Sequence, residues 1–164
     1  MVRPLRFETE RYGEYSKAGE FVYDHPFQWG SKRNGPDLAR EGVGNLKKSD
    51  VWHYNHLLAP DAVSTGSIMP PYPWLFEQMI DKGQTAKKIT ALRRVGVPYE
   101  ENYEATANDD LDLQAKGIVD NLKADGIEVM PEAEIVAIIA YLQRLGKDIK
   151  ADKTADVKQQ DQNP

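Results

Sequence analysis

An all-α fold with long, ordered loops is the class the sequence predicts, and three observations predict it. The last third of the chain carries apolar residues at helical spacing. No segment alternates apolar and polar residues as a half-buried strand does, and Pro and Gly punctuate the remainder. With 164 residues and 40% hydrophobic content the chain suits one domain with a real core. Residues 1–146 are expected to form that domain. Residues 147–164, "KDIKADKTADVKQQDQNP", are expected to be a disordered polar tail, because too few apolar side chains remain to offset the entropy of ordering.

Taken in order, Arg3 to Lys17 predicts a helix around Phe7, Tyr12 and Tyr15. The stretch "FVYDHPFQWGSKRNGPDLAREGVG", Phe21 to Gly44, reads as ordered loop with one short helix beginning near Pro36. Ser49 or Asp50 caps "VWHYNHLLA", which Pro60 ends, and "WLFEQMIDK" reads as helical up to Gly83. Thr85 caps "AKKITALRRV", where Ile89, Leu92 and Val95 share a face and Gly96 closes the end. Asn108 or Asp109 starts "DLDLQAKGIVDNLKADG", striped by Leu111, Ala115, Ile118 and Leu122. The acidic run before it, "EENYEATANDDLD", reads as a solvated loop. In "MPEAEIVAIIAYLQRLGKD", Pro131 takes a first helical position, and Glu132 and Glu134 complement the positive end of the helix dipole. Ile135, Ile138, Ile139, Leu142 and Leu145 form the buried stripe, and Gly146 stops the helix.

Charge and composition remove several function classes. A net charge of −5 argues against a nucleic-acid binder, which needs a basic surface to release counterions. No stretch approaches the roughly 18 to 20 apolar residues of a membrane span, and "MVRPLRFETERYGEY" has no apolar signal-peptide core. With no cysteine there are no disulfides, thiolate metal sites or thiol catalysis. Neither a nucleophile elbow nor a glycine-rich phosphate loop is present, and the acidic run lacks the ligand spacing of a calcium loop.

Two features carry chemistry. In "HYNH", His53 and His56 stand three apart on one helix side and could share a metal; the ordinary reading is one ring at a packing edge and one hydrogen-bonded or exposed. His25 in "YDHPF" is a lone loop histidine. The stretch "GSIMPPYPWLF", Gly66 to Phe76, places Met69 among three prolines and three aromatics. Prolines fix φ and donate no backbone hydrogen bond, so this is a stiff loop. Methionines mostly fill gaps in cores. A thioether that coordinates a haem iron, however, needs a backbone that hardly moves, and this loop supplies one.

These residues carry a resemblance. "NGPDL", then the Met-Pro loop, then the terminal "AYLQRLG" helix looks like a class I cytochrome c domain. More specifically, "MVRPLRFETERYGEYSKAGEFVYDHPFQWGSKRNGPDLAREG" and "WHYNHLLAPDAVSTGSIMPPYPWLF" resemble the mono-haem cytochrome c subunit (subunit II, FixO-like) of cbb3-type cytochrome c oxidases. The match runs from Met1 to about Phe76 and resumes in the last helix; residues 81–129 match only in being helical and charged.

The resemblance implies a haem c with Met69 as its distal axial ligand. It also implies that the Pro36 carbonyl orients the proximal histidine, that Gly35 permits close backbone approach, and that Leu38 packs on the haem. Arg33, Arg40, Trp29 and Trp52 are candidates for holding haem propionates, since cationic forks and indole N–H groups suit buried carboxylates. Tyr72, inside the Met69 loop, is a further candidate haem contact. The family's C-x-x-C-H attachment motif and membrane helix would precede Met1. The expectation is therefore an apo fragment lacking its haem-attachment helix, in which haem binding would require recruiting His25, His53 or His56.

The implied role is one-electron relay in aerobic respiration, from a dihaem cytochrome c subunit or soluble cytochrome to the catalytic haem-copper subunit. That relay would run on the periplasmic face of the bacterial inner membrane, with no catalytic residues in this chain. The alternatives are a haem-free helical module that docks on an oxidase or cytochrome partner, and a small metal-binding domain built on His53 and His56. An empty apolar pocket would favour homodimerisation of the fragment.

Overall fold

The computed structural model describes residues 2–24, 26, 27, 29 and 38–147. His25, Arg33, Gly35, Pro36 and the expected tail from Asp148 onward lie outside the described residues. The chain divides into two compact units, one formed by residues up to Lys48 together with the chain from Leu142, the other by Ser49–Tyr141.

In the first unit α1 spans Arg6–Tyr12, shorter than expected and facing the other way. Phe7 is 63% exposed, whereas Glu8 is 2% exposed. The burial of a carboxylate is tolerable because Arg3 satisfies it: the Arg3 backbone N–H donates to Glu8 Oε2 at 2.8 Å, and the guanidinium pairs with Oε1. Val2 and Ser16 exchange two bonds, Val2 N–H to Ser16 Oγ and Ser16 N–H to Val2 O, each 2.9 Å. Short 3-10 turns follow at Ala18–Phe21, Leu38–Arg40 and Gly44–Leu46. The start of the short helix expected near Pro36 lies outside the described residues, and the described residues after it form the 3-10 turn Leu38–Arg40.

Two glycines fix how this unit closes. Gly42 N–H donates to the Leu145 carbonyl at 3.0 Å, and a Cβ on Gly42 would lie 2.4 Å from the Gln143 carbonyl oxygen. Gly146, at φ +81°, would place a Cβ 2.8 Å from the Ala39 carbonyl oxygen. Backbone meets backbone at both points, which only glycine allows.

The second unit begins with α2, Asp50–Leu58, whose Ser49 cap accepts the Trp52 N–H at 3.1 Å. Then come α3 (Pro60–Val63), α4 (Trp74–Glu77), α5 (Thr85–Arg94), α6 (Tyr103–Ala124) and α7 (Glu134–Arg144), the last turn of α7 belonging to the first unit. Among the described residues no strand forms beyond one isolated antiparallel bridge between Met79 and Ala133.

That bridge corrects two sequence expectations. The helix expected through Gly83 stops at Glu77, because Gln78 turns extended (ψ 146°) and accepts the Glu134 N–H at 3.0 Å, while Ile80 N–H donates to the Glu132 carbonyl at 2.9 Å. Pro131 correspondingly sits in the turn before α7, not at its first position. A third difference is that α6 starts at Tyr103, absorbing the expected solvated loop. Arg93 of α5 holds that early turn, donating to both Glu104 oxygens (2.6 and 3.3 Å) and to the Glu100 carbonyl (2.6 Å).

The core comprises Ala115, Leu122, Ala133, Ile135, Val136 and Ile139, with Val51, Tyr54, Leu57, Leu75 and Phe76 packed against it. The expected stripes of α6 and α7 supply most of it. Asn121 of α6 donates to Asp50 at 2.8 Å, so α2 is tied to the same core by a polar bond as well as by packing.

Candidate functional site

The site is built from the last turns of α2 and the loop that follows α3. Gly66, at φ +79°, turns the chain; its N–H donates to Asp61 Oδ1 at 2.8 Å. Ser67 Oγ then accepts the Met69 N–H at 3.2 Å, and past the two prolines the Tyr72 N–H donates to the Leu57 carbonyl at 3.0 Å. The N–H groups of Gly66, Ser67, Met69 and Tyr72 are thereby used to anchor the loop, and the prolines have none to satisfy. The Tyr72 ring meets Trp74 edge-on at 5.2 Å, and Phe76 meets Tyr54 of α2 edge-on at 4.9 Å.

This anchoring brings Met69 against α2. Its Sδ lies 3.3 Å from His56 Nε2. One turn earlier on α2, Trp52 contacts both histidines, His56 at 4.4 Å with rings tilted by 44° and His53 edge-on at 5.3 Å. His53 is buried, and His56 is half-buried. Burial holds the His56 pKa below its ordinary value of 6.5, so the ring is neutral at physiological pH. Beside Met69 the neighbouring Ile68 is 97% exposed, an apolar side chain with nothing from this unit covering it.

The structure therefore gathers Met69, Trp52 and His56, with Tyr72 pinning the loop between them. His56 was singled out in the sequence for its spacing from His53. Its contact with Met69, thirteen positions away, carries no periodic signal; the fold of the loop onto Leu57 creates it. Among the described residues no group of three His, Asp or Glu stands together as a metal centre, so His53 and His56 remain two donors without a third.

The other candidates lie in the first unit. Leu38 opens its 3-10 turn half exposed, and Trp29 is exposed as well. Arg40 is buried, its guanidinium donating to Glu20 at 3.0 and 3.3 Å and to the Ala39 and Glu14 carbonyls. Those donors are engaged inside the unit, which gives Arg40 the structural task of fixing the Leu38–Arg40 turn.

The donor set fits one side of a haem. A thioether on an anchored loop, with exposed apolar neighbours, is the chemistry of one axial position. His56 Nε2 lies against the Met69 sulfur rather than standing apart from it.

An all-α fold that presents a methionine on a proline-stiffened loop defines the chain as a cytochrome c-like helical domain. A family model described as "Cytochrome C oxidase, mono-heme subunit/FixO" matches residues 1–149, and the chain belongs to that family. It is accordingly a subunit of a membrane-associated oxidase complex with a role in electron transfer, although none of the described helices is long and apolar enough to cross a membrane. A search of curated proteins gives no match.

Proposed function

We propose that the subunit to which this chain belongs relays single electrons through a haem c for which Met69 would be the distal axial ligand; the 164 residues hold no cysteine, so on their own they would be an apo fragment. The relay would run from the dihaem cytochrome c subunit or a soluble cytochrome to the catalytic haem-copper subunit of a cbb3-type oxidase, on the periplasmic face of the membrane. The observation that carries this reading is the anchored thioether: Ser67 and Leu57 hold the loop on both sides of Met69, and Pro70 and Pro71 stiffen the step between.

A bound haem would supply the one-electron couple, and a methionine donor would keep its potential high. The chain's own residues do the rest. Met69 offers a soft neutral donor, Tyr72 and Trp74 brace its loop, and Trp52 presents an indole beside the site for a propionate or for packing. Trp29, Leu38, Arg40, Gly35, Pro36 and Arg33 keep the roles the family resemblance implies for them.

The test is the absorption spectrum of the haem-loaded oxidase subunit with and without Met69→Ala. The expected result is loss of the six-coordinate spectrum in the variant and a new ability to bind carbon monoxide at the vacated position. An unchanged spectrum with no carbon monoxide binding would assign the axial position to another residue.

A further inference from the structure

His56 Nε2 lies against the Met69 sulfur, while among the described residues His56 Nδ1 is buried without a hydrogen-bond partner. A neutral imidazole carries one N–H and one lone pair, and where the proton resides follows from cost. An orphaned buried N–H is rarer and more expensive than an under-used acceptor. The proton therefore belongs on Nε2, where it meets a thioether able to accept it. The opposite tautomer would set the Nε2 lone pair against the sulfur lone pairs and strand the N–H at Nδ1.

We propose that His56 is the positioning residue for Met69, its Nε2–H donating to Sδ and fixing the sulfur in place. The ring is itself oriented by Trp52 packed on it at 4.4 Å, and its helix is joined to the loop by the bond from Tyr72 N–H to the Leu57 carbonyl. A sulfur that shares a lone pair with an N–H is a weaker nucleophile. It is also a weaker donor to ferric iron, so the contact favours the reduced state of an iron it ligates; this last consequence rests on the reading of Met69 as a ligand.

The hydrogen bond itself is tested without haem, on the purified chain. Long-range proton–nitrogen NMR should show His56 as the Nε2–H tautomer, and the Nδ1–H tautomer would overturn the proposal. Peroxide oxidation followed by peptide mass spectrometry adds a second readout, because Met79 and Met130, 45% and 60% exposed, serve as internal controls. Met69 should oxidise more slowly than either. His56→Ala should accelerate Met69 several-fold and leave the controls unchanged, and His56→Gln, whose amide N–H occupies the place of Nε2–H, should restore protection.

No acceleration in His56→Ala would overturn the proposal. Equal acceleration at all three methionines would report unfolding, and the wild-type tautomer then decides. In the haem-loaded subunit, His56→Ala should lower the reduction potential and His56→Gln should recover part of it. If Met69→Ala leaves the haem spectrum unchanged, the axial reading fails while the tautomer and oxidation rates still decide the hydrogen bond.

Discussion

The Met69 loop and the hairpin of α5 and α6 belong to the same unit but are held by different physics. The loop is fixed by Pro70, Pro71 and Pro73 and by backbone bonds to Ser67 and Leu57. The hairpin is fixed by an amphipathic stripe and by ion pairs: Arg93 with Glu104, and Lys82 with Asp112 and Glu132. Proline acts by narrowing the unfolded ensemble and is indifferent to salt. Partly exposed ion pairs contribute little each and weaken as salt is added. A group whose position matters to chemistry thus sits on the part of the unit that ionic conditions do not loosen, and the charged hairpin carries none of the site residues.

The largest effect should come from cutting the hairpin's apolar anchor. Leu122 is fully buried, and Leu122→Ala should cost about 2–5 kcal/mol of stability in denaturant titration. A cost below about 1 kcal/mol would mean that the hairpin owes its place to charge rather than to its apolar stripe. Replacing Pro70 and Pro71 by Gly should cost about 0.4–1 kcal/mol per site, equally at low and high salt, and should quicken peroxide oxidation of Met69. Arg93→Ala should cost about 0.2–1 kcal/mol, shrinking as salt rises, and should leave the Met69 oxidation rate unchanged. A change at Met69 would show that the two regions are coupled.

The smallest effect is a pH dependence confined to the site. Because burial lowers the His56 pKa below 6.5, the unfolded chain binds the proton more readily than the folded one. The stability contributed by the neutral ring is present above the unfolded value and is lost as pH falls through the folded value. Urea titrations across that window should show the fall in the wild type and a flatter profile in His56→Gln.

Local signals made α2, α5 and α7 legible: the Ser49 cap, the Ile89 face, and the Ile135 and Ile139 stripe all act within one helix. The early end of α4 was not legible, because Gln78 bonds to Glu134, a partner far along the chain. The early start of α6 depends likewise on Arg93 reaching across to Glu104. In α1 the apolar pattern misled, since Phe7 faces outward and the buried Glu8 is stabilised by Arg3, an interaction periodicity does not record. The site divides the same way. Proline content marked Met69 as a fixed thioether, whereas its contact with His56 exists only once Tyr72 is bonded to Leu57.

Gly42 and Gln143 have a bearing on how the protein is made. Gly42 receives its partner carbonyl from Leu145, and Gln143 reaches back 95 positions to the Lys48 carbonyl. At ribosomal speeds of roughly 5–20 residues per second, the N-terminal stretch emerges about 5–20 s before those partners exist. During that interval α1 and the Val2–Ser16 pair can form from local partners, while the Gly42 N–H waits for the Leu145 carbonyl. The bonds from Gly42 to Leu145 and from Gln143 to Lys48 therefore close only after residues 49–141 have been made.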